Sequence, residues 1–89
     1  MDKDTEDVFN YRAGMLINRY IKMGMISVAD VIRDAIISNN PSFIYIVSKY
    51  VDNVLVDDLT NAMYASKDEY WIRRYEEDIL GSYSKKKSI

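Results

Sequence analysis

An all-α fold, a compact antiparallel bundle of four to five helices with a short disordered C-terminal tail, is what this 89-residue sequence predicts. Three observations carry that prediction. Apolar residues recur at three- and four-residue spacing along most of the chain, the period of a helix with one buried face. Nothing alternates with period two over a useful length, and no Asn-Gly or Asp-Gly hairpin signal occurs. Gly24, Gly81 and the single proline, Pro41, fall where helices should start or stop. Residues 1–81 are read as one helical domain and residues 82–89 as a flexible Ser/Lys tail. Short connections between the expected helices favour antiparallel neighbours.

The first helix is expected from about Thr5 to Met23. Asp4 with Asp7 resembles a capping arrangement, and Glu6 and Asp7 suit the N-terminal dipole. Phe9, Ala13, Leu16, Ile17, Tyr20 and Met23 form its expected inner stripe, and Gly24 fits the position just past its end. Ser27 with Asp30 caps a second helix through Ile37, whose inner face is Val28, Val31, Ile32, Ala35 and Ile36. Asn39-Asn40-Pro41 ends that helix and opens the next, because Asn caps well and Pro is tolerated at the first helical position.

The third helix starts at Pro41 and presents Phe43, Ile44, Val47, Tyr50, Val51 and Val54. Beyond Val54 the apolar stripe changes phase: Leu55, Leu59, Ala62 and Met63 lie well round from the earlier face at 100° per residue. That phase change predicts a kink or break near Asp57-Asp58 rather than one continuous helix over 41–65. Ser66 with Glu69 reads as another capping box, opening a last helix Lys67–Leu80 that ends at Gly81. Its expected inner face is Trp71, Ile72, Tyr75 and Ile79.

Asp30 to Tyr50, with Asn39-Asn40-Pro41 between two apolar helical stretches, resembles the helix-turn-helix half of an ankyrin repeat and spans about a quarter of the chain. The family's Thr-Pro-Leu-His opening is missing, and no second copy follows at the repeat's spacing of roughly 33 residues. The resemblance implies an αα-hairpin and carries no function across.

Composition points away from catalysis. The chain has no histidine and no cysteine, but eight tyrosines, five methionines and a tryptophan. The side chains most used for nucleophilic, acid–base and metal chemistry are thus missing, while those that anchor one protein on another are abundant. A domain this small hides only about 60–65% of the surface its unfolded chain exposes. With 48% hydrophobic residues, some apolar surface must remain outside or meet a partner. The acidic pairs Asp57-Asp58 and Glu76-Glu77-Asp78 read as solvated helix surface, since adjacent helical residues point about 100° apart. No Gly-rich phosphate loop is present. A Ser/Lys or Tyr/Lys pair brought together by the fold is the one catalytic arrangement the composition leaves.

Charge argues against nucleic acid as the default partner. Net charge is −2, but three of the twelve basic residues are Lys85, Lys86 and Lys87, so the body before the tail is clearly acidic. The longest uninterrupted apolar run, Phe43 to Val47, is far short of a span of about 18–20 residues. The acidic start of the chain does not read as a signal peptide. The sequence is therefore read as a soluble, cytoplasmic, non-enzymatic protein–protein interaction module. No cofactor or metal is expected, and a homodimer or higher oligomer is. Richness in Ile, Asn, Tyr and Lys fits an AT-rich genome and suggests a viral or phage accessory or inhibitor protein, which would place it in the host cytoplasm.

The expected partner-binding residues are large side chains left off the inner stripes, Tyr11, Met15, Tyr45, Met63 and Tyr70, with Arg73 and Arg74. Val8, Arg12 and Arg19 lie beside Tyr11 and Met15 on the first helix. Glu69–Arg73, Arg73–Glu77 and Arg74–Asp78 also have the spacing of ordinary surface ion pairs. Two alternatives accompany this reading. One is a nucleic-acid-associated regulator using the Lys tail with Arg73 and Arg74. The other is a nucleotide or small-molecule binder between helices.

Overall fold

Local capping chemistry sets most of the helix boundaries. The computed structural model describes residues 2–81; the expected disordered tail, 82–89, lies outside the described residues. Five α-helices follow in order: α1 (Lys3–Lys22), α2 (Val28–Ser38), α3 (Pro41–Tyr50), α4 (Asp57–Ala65) and α5 (Glu69–Tyr75). The last continues as a π-helical turn, Glu76–Leu80. There is no strand among the described residues.

α1 starts two residues earlier than expected because Asp2, not Asp4, is its cap, accepting from the Thr5 N–H at 2.8 Å. Its end is a Schellman motif. Gly24 takes φ +77°, its N–H bonds the Ile21 carbonyl, and the Met25 N–H bonds the Tyr20 carbonyl. Ser27 caps α2 through the Asp30 N–H, and Asn40 caps α3 through the N–H groups of Ser42 and Phe43, with Pro41 at the first turn. α2 and α3 pack on one another across Asn39-Asn40, as the αα-hairpin reading requires.

The phase change does mark a break. It lies at residues 51–56, earlier than expected: α3 stops at Tyr50, before Val51 and Val54, Asn53 takes φ +64°, and Asp57 and Asp58 form the first turn of α4, where their charge suits the helix dipole. The capping box at Ser66 does not form. Lys67 adopts φ +59°, which ends α4 and cannot open a helix, so Asp68 caps α5 through the Trp71 N–H. Ser66 instead returns its hydroxyl to the Met63 carbonyl.

α3 is the hub. It packs against α1, α2, α4, α5 and the π turn, and Ile44, Tyr45, Ile46 and Val47 are all buried. A helix covered on most sides is apolar around most of its circumference, which is why Phe43 to Val47 is uninterrupted. Ala35, Leu59, Met63 and Tyr75 complete the fully buried centre. Two sequence-selected partner residues are thereby corrected. Tyr45 and Met63 are each 0% exposed, because neighbours wrap both sides of their helices.

α1 overturns its expected stripe. Phe9 and Met23 are 62% and 64% exposed, and Leu16 and Tyr20 also face out. The face that packs inward carries Asn10 and Gly14, both buried, with Ile17 and Ile21 against the core. Asn18 binds the end of α3, donating to the Tyr50 carbonyl and accepting from the Asp52 N–H, each at 2.9 Å. Gly14 lets the backbones close up: a Cβ there would overlap the Tyr50 Cβ and stand 3.1 Å from its Cγ. Gly14→Ala should therefore lower stability by about 1–2 kcal/mol net, because so close an overlap puts the overpacking cost near the top of its usual range of about 1–3 kcal/mol and Ala gains back only ~1 kcal/mol over Gly in a helix. A urea midpoint that holds or rises would contradict this close contact.

Candidate functional site

Two features outside the apolar core concentrate chemistry: a charged cluster around Arg74, and the outward face of α1. The cluster is assembled by four elements. α5 supplies Tyr70, Trp71 and Arg74, the π turn supplies Asp78, α3 supplies Tyr45 and Lys49, and the first turns of α1 supply Glu6 and Asp7. Sequence reading placed Arg74 on a solvated face, yet it is 7% exposed.

Arg74 bonds Glu6 through Nη1 and Asp7 through Nη2, the latter at 2.5 Å, and stands 3.8 Å from Asp78. Its Nη2 also donates to the Tyr45 hydroxyl at 3.2 Å. The guanidinium lies 4.8 Å from the Tyr45 ring centroid and 5.4 Å from that of Trp71, within cation–π range. Burial acts to lower the Arg74 pKa, but the hydrogen bonds to Asp7 and Tyr70 and the nearby negative charge outweigh it, so the net shift is upward. Arg can serve several acceptors at once because its donors are held in a planar fork. Its Nε and the Asn10 amide nitrogen are buried without a hydrogen-bond partner among the described residues, a cost that the rest of the network offsets.

The Tyr45 hydroxyl uses its whole hydrogen-bonding capacity. It donates to Asp78 at 2.5 Å and accepts from Lys49 at 3.1 Å and from Arg74. Tyr45 with Lys49 is thus the Tyr/Lys pair that composition allows, but its electrostatics run the wrong way for a base or nucleophile. Burial and the Asp78 carboxylate push the Tyr45 pKa up to about 12. At neutral pH the hydroxyl keeps its proton and spends it on Asp78. Lys49 is also raised: burial lowers it, and contacts with Tyr45, Tyr50 and Asp78 more than reverse that. Lys49 and Asp78 border an open cleft of about 660 Å³ that also touches Val56, Asp57 and Thr60. Their charges are already directed at each other, 3.8 Å apart.

The remaining sequence-selected residues separate. Tyr11, Met15, Tyr70 and Arg73 are exposed. Tyr11 sits edge-on to Tyr50, and the Tyr70 hydroxyl donates to Glu6 at 2.8 Å. Of the three surface ion pairs the spacing suggested, only Arg74–Asp78 forms among the described residues, and it lies in the interior cluster. Arg74 is therefore corrected from partner-facing to structural. Sequence reading gave Glu6 and Asp7 only a helix-dipole role and missed their contact with Arg74, which no local spacing signals; Asp78 was paired with Arg74 by its i, i+4 spacing. No group of three or more potential ligands converges on a metal site, and no helix is long and apolar enough to cross a membrane, among the described residues.

No protein-family model, curated protein or solved structure matches this chain. Function must be argued from its own surface. Of the twelve large hydrophobic side chains exposed among the described residues, eight lie between Val8 and Met25, on α1 and the turn after it. The sequence had singled out Val8, Tyr11 and Met15 there but had turned Phe9, Leu16 and Met23 inward.

Tyr45 gives the cluster a pH signature. Its folded-state pKa lies above the ordinary value of 10, so the unfolded chain loses this proton first as pH rises. The stabilisation is fully present below pH 10 and is lost between pH 10 and about 12, on the order of 2–3 kcal/mol. Denaturant titrations should show wild type losing its advantage over Tyr45→Phe across that window. A gap that stays constant would contradict the network.

Proposed function

We propose that this chain is a small non-enzymatic protein–protein interaction module whose contact surface is the outward face of α1. The supporting observation is the concentration of exposed apolar side chains there: Val8, Phe9, Tyr11, Met15, Leu16 and Tyr20 on one helix, with Met23 at its C-cap. Soluble monomers rarely present a contiguous apolar patch of this kind unless something binds it. Arg12 and Arg19 run between the apolar positions, giving the mixture of aromatic, Met and Arg side chains enriched at interface centres.

The same physical reading weighs the alternatives. A nucleic-acid partner would need clustered free cations, and Arg74 is buried among three carboxylates. A small-molecule site in the cleft beside Lys49 would have to displace the pairing of Lys49 with Asp78. A role as a viral or phage accessory protein in the host cytoplasm fits an interaction module of this size and composition.

Site-specific photo-crosslinking in cells of the native host tests the proposal. A photoreactive residue placed at Phe9 or Leu16 should give covalent protein adducts well in excess of those from control positions Asp34 and Lys67. Absent adducts, or equal yields at all four positions, would overturn it.

A further inference from the structure

One edge of the outward face of α1 is complementary to itself when the helix is reversed. Asp4, Val8, Tyr11, Met15, Arg19 and Lys22 follow one another at three- and four-residue spacing, and all six are exposed. At 100° per residue they fall within an arc of about 80°. A two-fold axis perpendicular to α1, passing between Tyr11 and Arg12, sets Asp4 against Arg19, Val8 against Met15 and Tyr11 against Arg12. These three pairs are chemically complementary: acid on base, apolar on apolar, aromatic ring on guanidinium. The acidic first turn of α1 also meets the basic last turn of its partner, with Asp4 at one end and Arg19 and Lys22 at the other.

A parallel arrangement would place Asp4 on Asp4 and Arg19 on Arg19. The neighbouring arc of Phe9, Leu16 and Met23 has no acid to answer Arg12 and Arg19, so it fixes no register and would flank the seam. The fold also leaves room for such a partner. α1 has 20 residues and is about 30 Å long, whereas α2 to α5 have 7 to 11 residues each. Those short helices cover only the Asn10–Gly14–Ile21 side of it.

We infer that α1 pairs antiparallel with α1 of a second copy of this chain, forming an isologous two-fold dimer. This rests on the reading of α1 as an interaction surface and names its occupant. The seam sets the register through Asp4 and Arg19. Within one chain these two residues stand about 22 Å apart along the helix, too far to compensate each other.

Sedimentation equilibrium on the full chain, with circular dichroism to confirm folding, is the test. Wild type should sediment at twice its 10.4 kDa mass. Asp4→Arg and Arg19→Asp should each raise the dissociation constant by about 10-fold, and the double reversal Asp4→Arg/Arg19→Asp should return it to within about 3-fold of wild type. Recovery of that kind requires residue 4 to meet residue 19 of the other copy. A wild-type monomer up to about 1 mM, or a double reversal as weak as the single ones, overturns the dimer. If Phe9 and Leu16 then still crosslink to a different protein, the interaction reading stands and only the second copy falls. A monomer that gives no adducts at those positions overturns both.

Discussion

The interior placement of Arg74 is the constraint from which the rest of this structure follows. A buried guanidinium is tolerable only when its charge and its donors are answered within the protein, because desolvating it unpaired is costly. Glu6 and Asp7 supply that answer from α1, and Asp78 and Tyr45 supply it from the π turn and α3. These partners lie as many as 68 positions away in sequence, so a single side chain joins the first and last helices to the central one. Breaking a buried pair by removing one member costs about 3–5 kcal/mol, as much as truncating a large core side chain.

That junction also decides which way α1 faces. Glu6 and Asp7 turn inward to meet Arg74, and one and two turns later Asn10 and Gly14 are carried to the same side. Farther along, Asn18 binds the end of α3, closing a polar seam along nearly the whole helix. Most of the large apolar residues of α1, Phe9, Leu16 and Tyr20 among them, are displaced to the outside as a direct result, while Ile17 and Ile21 stay against the core. The surface proposed for partner binding is thus a consequence of how the interior satisfies its charges. Stability and recognition share one helix and use opposite faces of it.

Local chemistry was the most legible part of the sequence. Ser27, Asn40, Pro41 and Gly24 do what their residue types demand within a few positions of chain, so α2, the start of α3 and the end of α1 could be placed closely. The phase change after Val54 reported a real interruption. What failed was whatever depended on distant neighbours. α1 has apolar side chains around most of its circumference, so periodicity alone cannot choose its inner face. The choice was made by Arg74, which no spacing rule would bury. Tyr45 and Met63 looked surplus on a one-sided helical wheel, yet α3 and α4 are covered on more than one side. Ser66 and Asp68 are both good caps, and the left-handed turn at Lys67 selected the second.

A double-mutant cycle between Arg74 and the two acidic residues of α1 tests this account most directly. Unfolding free energies would be measured for wild type, Arg74→Leu, Glu6→Gln/Asp7→Asn, and all three changes together. The account predicts a coupling energy of about 2 kcal/mol or more, because the carboxylates matter only while Arg74 is there to meet them. Effects that add to within about 0.5 kcal/mol would mean that Glu6 and Asp7 face solvent and that α1 is held by its apolar stripe instead.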